Sequence, residues 1–319
     1  MRKALMLMLV ALFLTGCMKT EAPEQWTPAE DVPKVPRKLE KADNVGIPSL
    51  SVYDTGREAT SEMDIETYVE GVVAGEMKND WPLEALKAQA ILARTFTLKF
   101  CEDKASKYDG ADISTDVTEA QAYDARSVND RVRQAVRETR GMAMAYAGAY
   151  PYAWFHAHAG GMTELPTVSL DYDKEDPSYL RPVESDDSDK APEDVKHWTA
   201  SFTKQQVVSA CADAGLKLKE IDSIEIGKKG QSGRAWTLSV NGQEVSAASF
   251  RIAIGANKLK STLIDDITVA DDRVVFLGRG FGHGVGMSQW GAYAMAEQGQ
   301  SAEDIIRHYF QDISIVKLW

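Results

Sequence analysis

The sequence has little cysteine, and this scarcity excludes two common ways of stabilising a fold. Only three of the 319 residues are cysteines, at positions 17, 101 and 211. No disulfide framework is implied, and no Cys-x-x-Cys or His/Cys cluster predicts a structural zinc. A single bridge between Cys101 and Cys211 and a pair of buried free thiols both stay open as interpretations.

Basic residues are also in the minority. The chain has 36 Lys and Arg against 48 Asp and Glu, a formal net charge of −12. Binding to nucleic acid depends on neutralising phosphates with cations, so an acidic surface disfavours such a partner. We therefore expect no nucleic-acid partner.

The apolar run at the amino terminus is too short to predict a membrane-spanning segment, and it predicts an export signal instead. Arg2 and Lys3 precede the apolar run Ala4–Leu14, which is shorter than the about 18–20 residues that span a bilayer. Leu14-Thr15-Gly16-Cys17 then matches the bacterial lipoprotein processing site. The pattern predicts a signal peptide over residues 1–16 and a lipid on Cys17. The protein is then held at the outer face of the cytoplasmic membrane through that lipid.

Residues 17–48 form a polar stretch that contains five prolines and shows neither a helical nor a strand period. This composition predicts a tether between the lipidated cysteine and a folded domain. The folded domain is expected over residues 50–319, where helical and strand patterns are mixed without regular alternation. The prediction is an α+β fold with small sheets, in a single large domain of two lobes.

Glu76 is placed where a carboxylate is least expected, on an apolar helical face. Ile65, Val69, Val72 and Val73 recur at helical spacing, and Glu76 projects from the same face. Desolvation among aliphatic side chains raises the pKa of a carboxylic acid and can keep it protonated for use as a general acid. The alternative is that the helix ends at Gly75 and leaves Glu76 solvated.

A second helix is predicted from Trp81-Pro82 to about Phe100, with Lys87 and Arg94 on its apolar face. Two cations and one carboxylate that interrupt apolar faces on consecutive helices predict a shared polar cleft. The alternative is a salt bridge from Glu76 to Lys87 or Arg94, which would lower the pKa of Glu76 rather than raise it.

A glycine-rich segment spans residues 278–291, but the nucleotide-binding patterns G-x-G-x-x-G and G-x-x-x-x-G-K-[ST] cannot be placed on it. Gly282 and Gly284 allow close approach of a ligand, and Ser288 and Gln289 open a predicted helix with free amides. His283 has little apolar cover in the sequence, so a ligand-facing role and a core position both stay open.

Two further groups of residues are candidates for a metal site. His156 and His158 share one face of a predicted strand over Tyr152–Ala159, but no third ligand is indicated. Asp186, Asp187 and Asp189 lack the pattern of a calcium loop, so we expect a solvated acidic loop. We expect neither a metal nor a cofactor.

Several of these segments together resemble the stage II sporulation protein D family, which also includes the amidase-enhancer proteins. The resemblance covers about Ser61–Val316. The matching segments are Tyr68–Met77, Trp81–Ala90 with Ala93-Arg94-Thr95, Gln121-Ala122-Tyr123, Phe155-His156 with Gly160-Gly161, Tyr179-Leu180-Arg181 and Gly280–Ala292.

The resemblance implies a lytic transglycosylase that cleaves peptidoglycan glycan strands without water, after a partner amidase has removed the stem peptides. By position Glu76 is the catalytic acid and Lys87 and Arg94 are functional cations. His156, Gly282, His283, Gly284, Ser288 and Gln289 then contact the substrate. The other hypotheses are a non-catalytic wall-binding lipoprotein that recruits an amidase and, third, a solute-binding lipoprotein.

The chain departs from the family at three points. Thr118-Glu119-Ala120-Gln121 lacks the Cys and His metal ligands that some relatives carry there. His156-Ala157-His158-Ala159-Gly160-Gly161 replaces a hydroxyl-rich strand end, which puts substrate contacts of this segment in doubt. The lipoprotein signal replaces a transmembrane anchor, so a vegetative role stays open beside one in sporulation.

Overall fold

The computed structural model describes residues 32–39 and 46–319. The predicted signal peptide, Cys17 and most of the predicted tether lie outside these residues. The described helices are α1 Ile65–Glu76, α2 Leu83–Asp103, α3 Asp130–Glu138, α4 Pro166–Ser169, α5 Glu193–Lys196, α6 Lys204–Asp213, α7 Ala247–Ile254, α8 Gln289–Glu297 and α9 Ala302–Tyr309. Short 3-10 helices span Arg37–Leu39 and Ala125–Ser127.

The strands are short and their order along the chain is interrupted by helices. They are β1 Ser49–Asp54, β2 Ala59–Asp64, β3 Ile113–Ser114, β4 Met142–Ala145, β5 Phe155–His156, β6 Gly161–Met162, β7 Glu184–Ser185, β8 His197–Thr203, β9 Ile224–Ile226, β10 Thr237–Val240, β11 Gln243–Ser246, β12 Ile264–Val269, β13 Arg273–Arg279, β14 Met287–Ser288 and β15 Ser314–Lys317. This mixture confirms the α+β prediction.

The strands pair into small sheets rather than one large one. Three-stranded sheets have the orders β2-β1-β3, β11-β10-β9 and β12-β13-β8, and the remaining pairs are β14-β5, β15-β4 and β6-β7. The β14-β5 pair is parallel and sets Ser288 beside His156. It therefore joins the end of the glycine-rich segment to the histidine-containing segment.

Two hydrophobic cores lie within the described residues, in agreement with the expected two lobes. The first contains α1, α2, α3, α8 and α9 with the strands packed on them. The second contains β8 to β13 with α6 and α7. Cys101 belongs to the first core and Cys211 to the second, and both are free and buried. The two thiols therefore do not form a disulfide in this structure.

Part of the predicted tether belongs to the folded body. Leu39 is fully buried in the first core, and the Tyr150 hydroxyl donates to the Lys34 carbonyl at 3.2 Å. The prediction of a free tether is therefore wrong for residues 32–39. Polar composition did not reveal this because one buried leucine is enough to attach so short a segment. Among the described helices, none has the length and apolar composition needed to cross a membrane.

Two loop and strand predictions also need correction. The strand expected over Tyr152–Ala159 is reduced to β5, because the flanking residues make loop and bridge contacts. The loop expected over Asp171–Trp198 contains β7 and α5 and ends inside β8.

Candidate active site

Glu76 is the last residue of α1, and its carboxyl group is held against the protein rather than solvated. The Ala122 amide donates to Glu76 Oε1 at 2.7 Å, and the side chain of Gln289 is the second polar group against the carboxyl. Burial raises the pKa of Glu76 from 4.5 to about 7, while these two hydrogen bonds act in the opposite direction. The carboxyl is therefore partly protonated at neutral pH, as the apolar face of the helix predicted.

Two glycines on α1 allow the segment that carries Ala122 to cross the helix closely. A Cβ atom on Gly75 would lie 2.7 Å from the Tyr123 amide nitrogen, and one on Gly71 would lie 2.2 Å from the Tyr123 ring. Any larger residue at either position would push the segment outward. The glycine spacing i, i+4 thus places the Ala122 amide on the Glu76 carboxyl.

The Glu76 carboxyl opens onto an open depression of about 470 Å³. Lys78, Asn79, Asp80 and Ser127 form part of its wall. The Asn79 side-chain amide donates to the Ser127 carbonyl at 2.9 Å, which ties the two sides together. A ligand can therefore reach the acid directly from solvent.

Gln289 lies between the Glu76 carboxyl and a buried polar residue of α2. It opens α8, is 6% exposed, and its Nε2 lies 3.5 Å from Gln89 Oε1 on α2. Gln89 is fully buried, and its Nε2 has no partner among the described residues. Gln89 was missed by the sequence analysis, although it is a polar residue inside the apolar part of α2, as Lys87 and Arg94 are.

Lys87 does not join Glu76, which corrects the predicted shared cleft. Its ammonium lies 2.7 Å from Glu84 Oε1 and 2.5 Å from Glu138 Oε2. These carboxylates come from α2 and α3, so Lys87 links two helices. The alternative of a Glu76–Lys87 salt bridge is wrong for the same reason.

Arg94 also does not contact Glu76, because it pairs with another carboxylate. Its side chain is fully buried and forms a two-pronged ion pair with Glu66, with Nε to Oε1 at 3.1 Å and Nη2 to Oε2 at 2.6 Å. Nη1 donates to the Met142 carbonyl at 2.9 Å. The Glu66 carboxylate further accepts from the Gly141 amide and from Trp319 Nε1. Arg94 is therefore a structural cation in a saturated network, away from the acid.

The two glycines predicted to approach a ligand approach the protein's own side chains instead. A Cβ on Gly282 would lie 2.7 Å from the His156 Cβ, and one on Gly284 would lie 2.2 Å from Arg234 Nε. The Gly282 amide donates to the Lys260 carbonyl at 2.9 Å. The positive φ angles of both residues, +103° and +86°, are those that glycine adopts without strain. Their role in this structure is close packing.

His156 and His283 form a buried pair, with ring centroids 5.7 Å apart. His156 Nδ1 lies 3.1 Å from the Val285 carbonyl oxygen, and His283 Nδ1 accepts from the Val285 amide at 3.0 Å. Burial lowers the pKa of His156 to about 3 and lowers that of His283 well below its usual value. Both rings are therefore neutral at neutral pH. His156 Nε2 is buried without a partner in the described part of the chain.

Ser288 and the acidic segment have structural roles. Ser288 is fully buried, caps α8 and donates to Asp187 Oδ1 at 2.6 Å. Asp187 also accepts from the Ala159 amide at 2.6 Å and lies 3.0 Å from His158 Nδ1. Burial acts to raise the pKa of Asp187, but hydrogen bonds with His158, Ser288 and Ser185 hold it at about 2. The expectation of a solvated acidic loop is wrong at Asp187, whose side chain is 2% exposed.

The site thus brings together Glu76 and Gln289, two of the residues predicted from sequence, with the unpredicted amide of Ala122. Lys87, Arg94 and Ser288 are engaged in other contacts, and Gly282 and Gly284 pack on buried side chains. His156 and His283 form a separate buried pair.

Known protein families match two consecutive parts of the chain. Residues 53–146 match the family described as stage II sporulation protein, and residues 162–286 match a domain of unknown function. Stage II sporulation protein D of Bacillus amyloliquefaciens is 30% identical over 281 residues, which cover 84% of this chain and 78% of that protein.

Two other relatives are similar at the same level. An uncharacterised protein of Brachyspira hyodysenteriae is 31% identical over 265 residues, which cover 83% of this chain and 70% of that protein. The amidase enhancer of Bacillus subtilis is 28% identical over 296 residues, which cover 76% of this chain but only 39% of that protein.

Proposed function

Because the chain belongs to the stage II sporulation protein D family, we propose that it is a lytic transglycosylase that remodels the cell wall, with a role in sporulation. Its substrate is a peptidoglycan glycan strand from which stem peptides have been removed. The observation that carries this proposal is the Glu76 carboxyl, with a pKa of about 7, at an open depression.

The chemistry requires one group that serves first as an acid and then as a base. Protonated Glu76 donates its proton to the oxygen between N-acetylmuramic acid and N-acetylglucosamine, and the bond from that oxygen to the muramic C1 breaks. The muramic C6 hydroxyl oxygen bonds to C1, and its proton passes to the Glu76 carboxylate. Glu76 is restored, no water is consumed, and the product ends in a 1,6-anhydro ring.

This route suits the surroundings of Glu76. Hydrolysis of glycosides commonly uses two carboxylates that flank the bond. Burial and the hydrogen bonds of Ala122 and Gln289 set the pKa of Glu76, and Asp80 is a second carboxylate that lines the depression. Ala122 and Gln289 fix the orientation of the carboxyl, and Glu76 itself acts on the substrate.

The place of action follows from the sequence pattern at the amino terminus. We propose that Cys17 carries lipid and that the folded domain works outside the cytoplasmic membrane. The substrate occurs there, and so does any amidase that prepares it.

The proposal is tested by digesting purified glycan strands with the full chain in mild detergent and with its Glu76→Gln variant. Strands with and without stem peptides are compared, and the products are identified by mass spectrometry. We expect 1,6-anhydro-muramic ends from the native protein on peptide-free strands and none from the variant. Reducing ends would mean that water attacks C1, which would overturn the mechanism.

A second candidate is a non-catalytic lipoprotein that recruits or activates an N-acetylmuramoyl-L-alanine amidase. The similarity to the amidase enhancer supports it. Absence of cleavage of either strand, together with increased turnover by an added amidase, would favour this function over the transglycosylase.

A further inference from the structure

A second depression, of about 410 Å³, carries two arginines. Its wall includes Asp54 at the end of β1, Arg57 in the following turn, and Tyr123, Asp124 and Arg126, so each arginine is accompanied by an aspartate. The turn is tied in place because the Thr55 amide donates to Thr115 Oγ1 at 3.0 Å. The depression is thus built from two separate parts of the chain held at a fixed distance.

The guanidinium groups of both arginines are available to a ligand. The side chains of Arg57 and Arg126 are 80% and 97% exposed. The closest approach of each to an aspartate is through Nε, Arg57 to Asp54 at 3.5 Å and Arg126 to Asp124 at 3.7 Å. In the ranges that the structure describes, the terminal nitrogens of both groups have no hydrogen-bond partner.

The two aspartates are committed to their own turns. Asp54 Oδ1 accepts from the Gly56 and Arg57 amides at 2.8 and 3.1 Å. Asp124 accepts from the Arg126 amide at 3.0 Å and from the Ser127 hydroxyl at 2.7 Å. The two aspartates therefore stabilise the turns, and these hydrogen bonds do not involve the terminal nitrogens of the two guanidinium groups. A guanidinium group with free terminal nitrogens can bind a carboxylate through two parallel hydrogen bonds.

One short segment borders both depressions. Ala122 donates to the Glu76 carboxyl, Tyr123 and Arg126 line the second depression, and Ser127 lines the first. Neighbouring Cα atoms are only about 3.8 Å apart, so residues 126 and 127 bring the two depressions onto one short segment of the chain. A strand of sugars bound at Glu76 can therefore follow this segment toward Arg57 and Arg126.

We propose that this second depression is a muramic acid subsite in which Arg57 and Arg126 bind the free lactyl carboxylate of a peptide-free residue. The inference rests on the proposed function, since it assigns the strand that Glu76 cleaves. In an intact strand the lactyl carbonyl is part of an amide and carries no charge. The two arginines therefore make the protein prefer strands that an amidase has already processed.

The experiment measures binding, without cleavage, to the full chain carrying Glu76→Gln. The probes are a peptide-free tetrasaccharide of alternating N-acetylglucosamine and N-acetylmuramic acid, the same compound with its lactyl carboxylates converted to methylamides, and chitotetraose. Calorimetry gives Kd for each. A further arm uses the tetrasaccharide with stem peptides, whose own carboxylates lie elsewhere.

We expect the free acid to bind about tenfold more tightly than the methylamide, because each exposed charge-assisted contact contributes modestly. Adding R57Q and R126Q should remove this preference and leave the affinity for chitotetraose unchanged. The matched control is K217Q with K219Q, which removes the same charge at two exposed positions near the second core and should keep the preference.

Equal binding of acid and methylamide would overturn the subsite, as would a double arginine variant that loses affinity for all probes alike. Equal affinity for the peptide-bearing and free-acid tetrasaccharides would also overturn it. Cleavage by the protein with Glu76 intact is scored separately. Selective binding without cleavage would retain the subsite and reject the transglycosylase, whereas cleavage with unselective binding would do the reverse.

Discussion

The Ala122 amide lies 2.7 Å from Glu76 Oε1, although 46 residues separate them in the sequence. The contact holds one oxygen of the carboxyl in place. It exists because Gly75 has no side chain at the point where the 122–123 segment crosses α1. The position of the acid therefore depends on a residue that has no functional group.

A Gly75→Ala variant tests this dependence. The added Cβ would lie 2.7 Å from the Tyr123 nitrogen, so the segment must move away from the helix and the Ala122–Glu76 hydrogen bond must lengthen. We expect cleavage of peptide-free strands to fall about a hundredfold, because small displacements of a catalytic group are costly. The melting temperature should also fall, because the three atoms in the way belong to the backbone of Ala122 and Tyr123 and cannot rotate aside. Full activity in this variant would show that the contact with Ala122 is dispensable.

The pH dependence of cleavage should follow the protonation of Glu76. The acid must hold its proton to act, and its pKa is raised to about 7, so kcat/KM should decline about tenfold per pH unit above pH 7. Assays of peptide-free strands across pH 5–9 would show the decline. A rate that rises through neutral pH would instead assign Glu76 the role of a base from the start.

Stability provides an independent test of the same group. The pKa of Glu76 is higher in the folded state than in the unfolded state, so between pH 4.5 and 7 the folded state binds more protons, and its stability decreases as pH rises. The Glu76→Gln variant has no such proton. Its free energy of unfolding relative to native should therefore increase over this range, by on the order of 2 kcal/mol. Chemical denaturation at several pH values measures the difference, and a constant difference would contradict the raised pKa.

The helical position of Glu76 could be predicted from the sequence, but its hydrogen-bond partners could not. Hydrophobic periodicity predicts which face a residue occupies, and it placed Glu76, Lys87 and Arg94 on buried faces. Periodicity does not tell which partner each polar group meets. Arg94 pairs with Glu66 and Lys87 with Glu84 and Glu138, although the pattern is equally compatible with a cleft shared with Glu76.

The glycine-rich segment shows a similar limit. Glycine indicates that something approaches the backbone closely, but the approaching group can be a ligand or the protein itself. Here the atoms within reach of Gly282 and Gly284 belong to His156 and Arg234. The burial of Asp187 was equally invisible, because an acid-rich segment is usually solvated and its partners Ser288 and His158 lie far along the chain.

The two cations of α2 should respond to substitution differently from what the family resemblance implied. Lys87→Gln removes a partly exposed ion pair, so we expect a loss of about 0–1 kcal/mol in stability and unchanged kcat/KM. Arg94→Gln leaves Glu66 without its buried partner and should cost about 3–5 kcal/mol. Denaturation and strand cleavage are measured together. A Lys87→Gln protein that is stable but inactive would place the ammonium in catalysis.

The buried histidine pair should weaken the fold in acid. The pKa of His156 is lowered to about 3, so between pH 6.5 and 3 the unfolded state binds more protons and stability is lost as pH falls. His156→Gln removes this titration while keeping a polar side chain, and His283 continues to titrate. From pH 6.5 to pH 4 the native protein should lose about 3 kcal/mol more than the variant. Equilibrium denaturation at matched pH values gives both slopes, and parallel slopes would mean that His156 becomes charged inside the folded protein. Because Glu76 acts in the opposite direction over part of this range, both slopes are measured in the Glu76→Gln background, and the difference between them reports His156.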